Sequence, residues 1–172
     1  MAVSGDALKR LVGNGAVKDF RDLKAQLQPA SFDLTVSQVF RFSSAGAIDF
    51  DNSERKMAET GEIAFDEKGW VSLPRGAYKI RFSEAVRVPS DCCAVTFARS
   101  SLARCGCDLY NGWWDPGYEG RGESILAVHN EHGLRLKKGA RVAQLVFFRL
   151  NEEAKELYGG MHNKENLGGG TE

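Results

Sequence analysis

Apolar residues recur at helical spacing only near the start of this chain; from residue 32 onward they alternate with polar ones. Leu8, Leu11 and Val12 share one helical face, with Ser4 or Asp6 available as a cap and Gly13-Asn14-Gly15 as a stop, which predicts a short helix over residues 4–12. Residues 19–27 read as a second helical turn or an irregular arm. Phe32, Leu34 and Val36 then alternate, Val39, Phe40 and Phe42 follow, and residues 43–53 are polar enough to be a loop. Further short runs lie at 63–65, 70–73, 78–82, 85–88, 94–98, 124–129 and 141–150, separated by turns such as Pro74-Arg75-Gly76 and Pro89-Ser90-Asp91. The segment Leu134-Arg135-Leu136-Lys137-Lys138-Gly139 ends in a Lys-Gly corner that reads as a turn. Strands this short and frequent predict a mostly β sandwich or barrel-like jelly roll.

The character changes at Asn151. Residues 151–172 are polar and Gly-rich, with Tyr158-Gly159-Gly160 and Gly168-Gly169-Gly170, and cannot bury enough to fold unaided. The expected organisation is one β domain over 1–150 and a flexible C-terminal arm over 151–172. Lys and Arg number 23 against 23 Asp and Glu, so no overall field favours nucleic acid or an anionic membrane. With no secretory leader and no membrane-length apolar run, a soluble cytoplasmic protein is expected. Cys92-Cys93 and Cys105-x-Cys107 match neither a redox pair nor a zinc ribbon, and read as reduced thiols.

Chemistry gathers between residues 99 and 144. In Trp113-Trp114-Asp115-Pro116-Gly117 a carboxylate sits where an apolar strand meets a tight turn, and bulky neighbours limit water, as a general base requires. The same Asp can instead accept N–H bonds in its own Asx turn. Arg99-Ser100-Ser101-Leu102-Ala103-Arg104 supplies hydroxyls and guanidiniums for phosphate oxygens, or simply a helix N-cap with surface arginines. Tyr118 offers a ring face to a sugar or a cover for a core edge. Gln144, among apolar residues, needs a ligand or backbone partner. His129 and His132 have metal spacing for a helix, but their segment alternates like a strand running into a loop, so no metal is assigned to them.

Four segments in order carry a family resemblance: Gln28-Pro29-Ala30-Ser31-Phe32-Asp33-Leu34, the Arg99–Arg104 segment, Asp115-Pro116-Gly117-Tyr118-Glu119-Gly120, and Gly139-Ala140-Arg141-Val142-Ala143-Gln144. They resemble the motifs of the trimeric dUTPase and dCTP deaminase superfamily, most closely the archaeal-type dUTPases with deaminase-like sequences. The resemblance implies a homotrimer of distorted jelly rolls of the β-clip type, with sites at subunit interfaces and a C-terminal arm closing over a neighbour's site. It implies that Asp115 orients water for attack on the α-phosphorus of dUTP, giving dUMP and pyrophosphate. Arg99, Ser100, Ser101, Arg104 and Gln144 would hold the triphosphate, with Mg²⁺ bound mainly through phosphate oxygens and water. Tyr118 would lie against the deoxyribose, and the hairpin around Leu109-Tyr110-Asn111-Gly112 would select the base. The tail Tyr158-Gly159-Gly160-Met161-His162-Asn163-Lys164-Glu165-Asn166-Leu167 resembles the deaminase-like branch, placing Tyr158 and Lys164 toward phosphate and His162 against the base.

Deaminases of that superfamily carry a glutamate on the strand after the third motif. Counting by motif spacing lands here on Ile125 or Ala127, neither of which transfers a proton; the nearby acids are Glu119 in the turn and Glu123 two residues before Ile125. The expected activity is therefore dUTP diphosphatase, with a dCTP deaminase or bifunctional enzyme as the alternative, and a non-catalytic nucleotide-binding regulator as the alternative outside enzymology.

Overall fold

The computed structural model describes residues 1–168; residues 169–172, the end of the Gly-rich tail, lie outside the described residues. Helix α1 (Gly5–Leu11) runs on through a wide turn at Val12–Ala16, so the chain reverses at Gly15 and not at Gly13. Gly15 takes φ 87°, a conformation that costs glycine little. Ser4 occupies the N-cap position but its side chain makes no cap bond. Asp22 does cap the short α2 (Leu23–Gln26), accepting from the Ala25 N–H at 3.1 Å, which resolves residues 19–27 as a helical turn.

Among the described residues twelve strands follow the first helix: β1 (Val17–Lys18), β2 (Phe32–Phe42), β3 (Thr60–Glu62), β4 (Trp70–Leu73), β5 (Gly76–Phe82), β6 (Ala85–Arg87), β7 (Cys92–Ala98), β8 (Cys107–Tyr110), β9 (Glu119–Gly120), β10 (Glu123–Val128), β11 (Leu134–Lys137) and β12 (Arg141–Arg149). A third helix, α3 (Ser100–Arg104), joins β7 to β8. The main sheet runs β7-β12-β2-β5-β10-β8 with β3 on β2, all pairings antiparallel; β1-β6-β9 and β4-β11 form two smaller sheets. Its two ends meet, because Ala94 and Trp114 exchange backbone hydrogen bonds and Asn111 Nδ2 donates to the Thr96 carbonyl at 3.1 Å. Among the described residues no helix is long and apolar enough to cross a membrane, and all four cysteines are free.

Period-two alternation decides which side chains enter the barrel. On β5, Tyr78, Ile80 and Phe82 point inward while Lys79 and Arg81 face out. Phe32, Leu34, Leu126, Leu145 and Phe147 join them with essentially no exposed surface, each stabilising the fold by about 1.5–3 kcal/mol. One expected strand is displaced: β3 precedes the apolar run at 63–65. Ladder pairing with Phe40–Phe42 ends at Glu62; the Ile63 N–H still donates to the Val39 carbonyl at 2.8 Å, and the Ile63 and Phe65 side chains pack on the core.

The least expected buried group is Glu84, with no exposed surface. Its Oε1 accepts from Gln26 Nε2 at 2.7 Å and from the Thr35 hydroxyl at 2.8 Å, and Oε2 accepts from the Thr35 N–H at 2.8 Å. Gln26 also donates to the Asp33 carbonyl, so this network ties α2 to the start of β2. Burial pushes the Glu84 carboxyl above the usual range, against the hydrogen bonds that favour its charged form.

Glu84→Gln turns one acceptor into a donor facing other donors, and is expected to cost about 1–3 kcal/mol at pH 7. The raised carboxyl binds more protons folded than unfolded, so its contribution is lost as pH rises through the folded pKa. The stability gap favouring wild type should widen as pH falls from 7 toward 5, as read by denaturant titrations at both values.

Candidate active site

Asp115 sits at the mouth of a turn that the main chain itself closes: the Tyr118 N–H donates to the Asp115 carbonyl at 3.1 Å. Asp115 lines a cleft of about 550 Å³. The expected shielding by two tryptophans is only half realised in the single chain. Alternation sends Trp114 inward, 7% exposed, and Trp113 outward, 60% exposed, and Asp115 itself is exposed.

Tyr110, Asn111 and Gly112, where β8 leaves the sheet, form one wall of the cleft, and Glu123 and Ile125 of β10 form another. Leu109 is buried, so its side chain belongs to the core and only its main chain is available there. Tyr118 packs edge-on against Trp114 and tilts against Tyr158. Burial and then the neighbouring Glu165 charge push the Tyr118 hydroxyl well above the usual tyrosine range, so it stays a donor.

Glu123 is not a free acid. Its Oε2 meets Lys79 Nζ at 2.9 Å, and its Oε1 accepts from Arg81 Nε and Nη2 at 3.1 and 2.9 Å. Both cations also lie over the Phe40 ring. Position 125, which pairs with Lys79, carries an isoleucine, and position 127 an alanine.

The arm closes the remaining side of the cleft with Tyr158, His162 and Glu165. A segment unable to fold by itself is here folded on the Asp115 turn. Tyr158 N–H donates to the Pro116 carbonyl at 2.8 Å, Lys164 N–H to the Glu119 carbonyl at 2.6 Å, and Arg121 N–H to the Glu165 carbonyl at 3.0 Å. Two glycines permit this approach: a Cβ at Gly117 would lie 2.6 Å from Leu157 Cβ, and one at Gly120 would lie 2.8 Å from the Tyr118 hydroxyl and 3.1 Å from Glu165.

The second group of sequence candidates lies elsewhere on the chain. Asp33 of β2 is fully buried, and its Oδ2 meets Arg99 Nε at 3.1 Å and Arg141 Nη1 at 3.2 Å. Burial pushes its carboxyl up while the two guanidiniums pull it down. Gln144 finds the Ser31 hydroxyl at 3.3 Å, neither a ligand nor a backbone group. Ser100 and Ser101 are exposed on the first turn of α3, and Arg104 is exposed at its end. None of Arg99, Ser100, Ser101, Arg104 or Gln144 lines the Asp115 cleft, and Lys164 approaches it only through its backbone. Asp33 and Glu165 have no role in the sequence reading. For Asp33 a signal exists: β2 is buried on both faces at its start, and a charge there needs a counter-charge.

Residues 2–150 match the family model described as dCTP deaminase-like. The chain belongs to the dCTP deaminase-like family. Curated members it resembles include a probable deoxyuridine 5′-triphosphate nucleotidohydrolase of Archaeoglobus fulgidus, 43% identical over 169 residues, covering 97% of this chain and 99% of that one. Another of that name, from Methanosarcina acetivorans, is 45% identical over 145 residues, 84% of this chain and 85% of that one. The deoxyuridine 5′-triphosphate nucleotidohydrolase of Methanocaldococcus jannaschii is 35% identical over 155 residues, 88% and 97% of the two chains. Among solved structures, the 2′-deoxycytidine 5′-triphosphate deaminase of Agrobacterium tumefaciens superposes with a TM-score of 0.64 at 20% identity, covering 85% of this chain and 47% of that one. The chain thus spans about half the length of that deaminase. Native EIAV dUTPase superposes with a TM-score of 0.50 at 19% identity, over 84% and 91%. These two likenesses establish the fold, the mostly β distorted jelly roll expected from the family resemblance.

The arm's seat in this family member rests on close approach at Gly120. Gly120→Ala should lift the arm without unfolding the barrel: trypsin should cut at Lys155 and Lys164 about tenfold faster, with a nearly unchanged unfolding midpoint.

Proposed function

We propose that the protein is a dUTP nucleotidohydrolase that releases dUMP and pyrophosphate. The observation that carries this reading is the contrast between the acids of one cleft. Among the described residues Asp115 has no ion-pair partner, whereas Glu123, the only acid on β10, is held by two cations. A carboxylate bound by Lys79 and Arg81 is poorly suited to the proton shuttling that deamination needs, and Ile125 and Ala127 cannot supply it. The names of the curated relatives support uracil as the base.

Asp115 accepts a proton from water as the water oxygen attacks the α-phosphorus; the bond to the bridging oxygen breaks and pyrophosphate leaves. Tyr118 lies against the deoxyribose, leaving no room for a 2′-hydroxyl. Main-chain groups of Leu109, Tyr110, Asn111 and Gly112 read the base, and His162 stacks on it. Arg99, Ser100, Ser101, Arg104 and Gln144 grip the triphosphate, joined by Tyr158 and Lys164 of the arm.

The two groups do not meet in one chain, which supports a homotrimer whose sites join the cleft of one subunit to the phosphate-binding residues of another. The arm over 151–172 would close on such a composite site. No group of three or more His, Cys, Asp or Glu side chains is placed to hold a metal among the described residues. Mg²⁺ would be held mainly by phosphate oxygens and water. When bound, Mg²⁺ neutralises charge on the triphosphate. Free thiols fit a cytoplasmic protein.

With Mg²⁺ present, dUTP should yield dUMP and pyrophosphate, and dCTP should yield no ammonia. Asp115→Asn should lower kcat by about 10²–10⁴-fold while nucleotide binding persists. Ammonia from dCTP, or an unchanged rate in the variant, would overturn the reading.

A further inference from the structure

Glu165 is the acid that the arm itself brings to the cleft, and each of its carboxylate oxygens has a different partner. Oε1 accepts from the Tyr118 hydroxyl at 2.8 Å, and Oε2 meets His162 Nδ1 at 3.3 Å. All three residues line the cleft beside Asp115. The backbone of Glu165 adds contacts of its own: it bridges in parallel to Gly120, and its carbonyl accepts from the Arg121 N–H. On either side, Asn163 Oδ1 accepts from the Glu119 N–H at 3.1 Å, and Asn166 Nδ2 donates to the Arg121 carbonyl at 3.0 Å. A carboxylate held on so constrained a backbone makes a short, directional contact at little further entropic cost.

We infer that Glu165 is a positioning residue: by accepting from the Tyr118 hydroxyl while its other oxygen lies against His162, it makes closure of the arm and seating of the Tyr118 ring a single event, and so sets discrimination at the sugar. This rests on the reading of the cleft as a deoxynucleotide site. The Tyr118 ring is pinned on two sides by Trp114 and Tyr158, and its hydroxyl by Glu165. With the carboxylate removed, the hydroxyl loses its partner and the ring is free to tilt away from Trp114. A cleft with a loosened ring accommodates one more hydroxyl on the sugar. His162, released from the same carboxylate, loses its fixed orientation on the cleft wall.

The test is a double-mutant cycle of Glu165→Ala and Tyr118→Phe, read as the ratio of kcat/KM for dUTP to that for UTP. Each single variant should lower the ratio about tenfold, the scale of one lost hydrogen bond to a charged group. The double variant should fall no further than Glu165→Ala alone, because that substitution already removes the contact that Tyr118→Phe removes. A merely structural role would lower activity on both nucleotides equally and leave the ratio where it was, which would overturn the proposal. Additive losses would overturn it as well.

A second measurement needs no turnover. Hydrogen exchange at the Tyr158, Lys164 and Arg121 amides should quicken about tenfold in Glu165→Ala and in Tyr118→Phe. Unchanged exchange in both variants would overturn the latch. If the wild-type protein hydrolyses no dUTP at all, the substrate reading fails, and the exchange experiment still decides whether Glu165 and Tyr118 hold the arm.

Discussion

A charge buried inside a β barrel must find opposite charge there, and Asp33 finds two guanidiniums. Arg99 leaves the end of β7 and Arg141 opens β12, so one carboxylate on β2 fixes the relative placement of three neighbouring strands. Both arginines keep part of their surface in water, which lets them neutralise Asp33 and still offer charge outward. Ser100 and Ser101 follow Arg99 directly, and Gln144 lies three residues beyond Arg141 on β12. The arrangement of the polar half of the proposed site therefore follows from the cost of burying Asp33.

The cleft half obeys a different constraint. Trp114 enters the core and closes the barrel against Ala94, which forces the chain to turn immediately afterward at Pro116-Gly117. That turn leaves Asp115 outside, and its glycines leave the space into which the arm packs. Glu84 contributes further off, anchoring α2 and the start of β2 from beneath. A fold of this kind has a rigid barrel carrying two chemically different half-sites, with the arm as the one element whose seat depends on a few specific contacts.

Much of this was legible in the chain. Alternation at Tyr78, Ile80 and Phe82 and at Phe32 and Leu34 located strands and core alike, because strands that bury one face must alternate. Asp115, Tyr118 and Asn111, which the family resemblance names together, line one cleft. Strands β1 and β9 left no periodic trace, since two residues cannot show a period, and β8 was hidden by the charge of Asp108 on its outer face. The exposure of Asp115 escaped the reading because only one of the two tryptophans beside it turns inward, and the local sequence does not say which. Glu165 escaped it because its meaning lies in contacts across 47 residues of chain, which no local pattern encodes.

The central claim is that catalytic power arises where the Asp115 cleft of one subunit meets the Arg99 group of another. Co-expressing Asp115→Asn and Arg99→Ala chains with different tags, and purifying assemblies that carry both tags, tests it directly. Each variant alone should be nearly inactive. These double-tagged trimers should recover about a third of wild-type dUTP hydrolysis, since each mixed trimer holds one site of three with both halves intact. No recovery in verified mixed assemblies would contradict the account and place both halves of the site within a single chain.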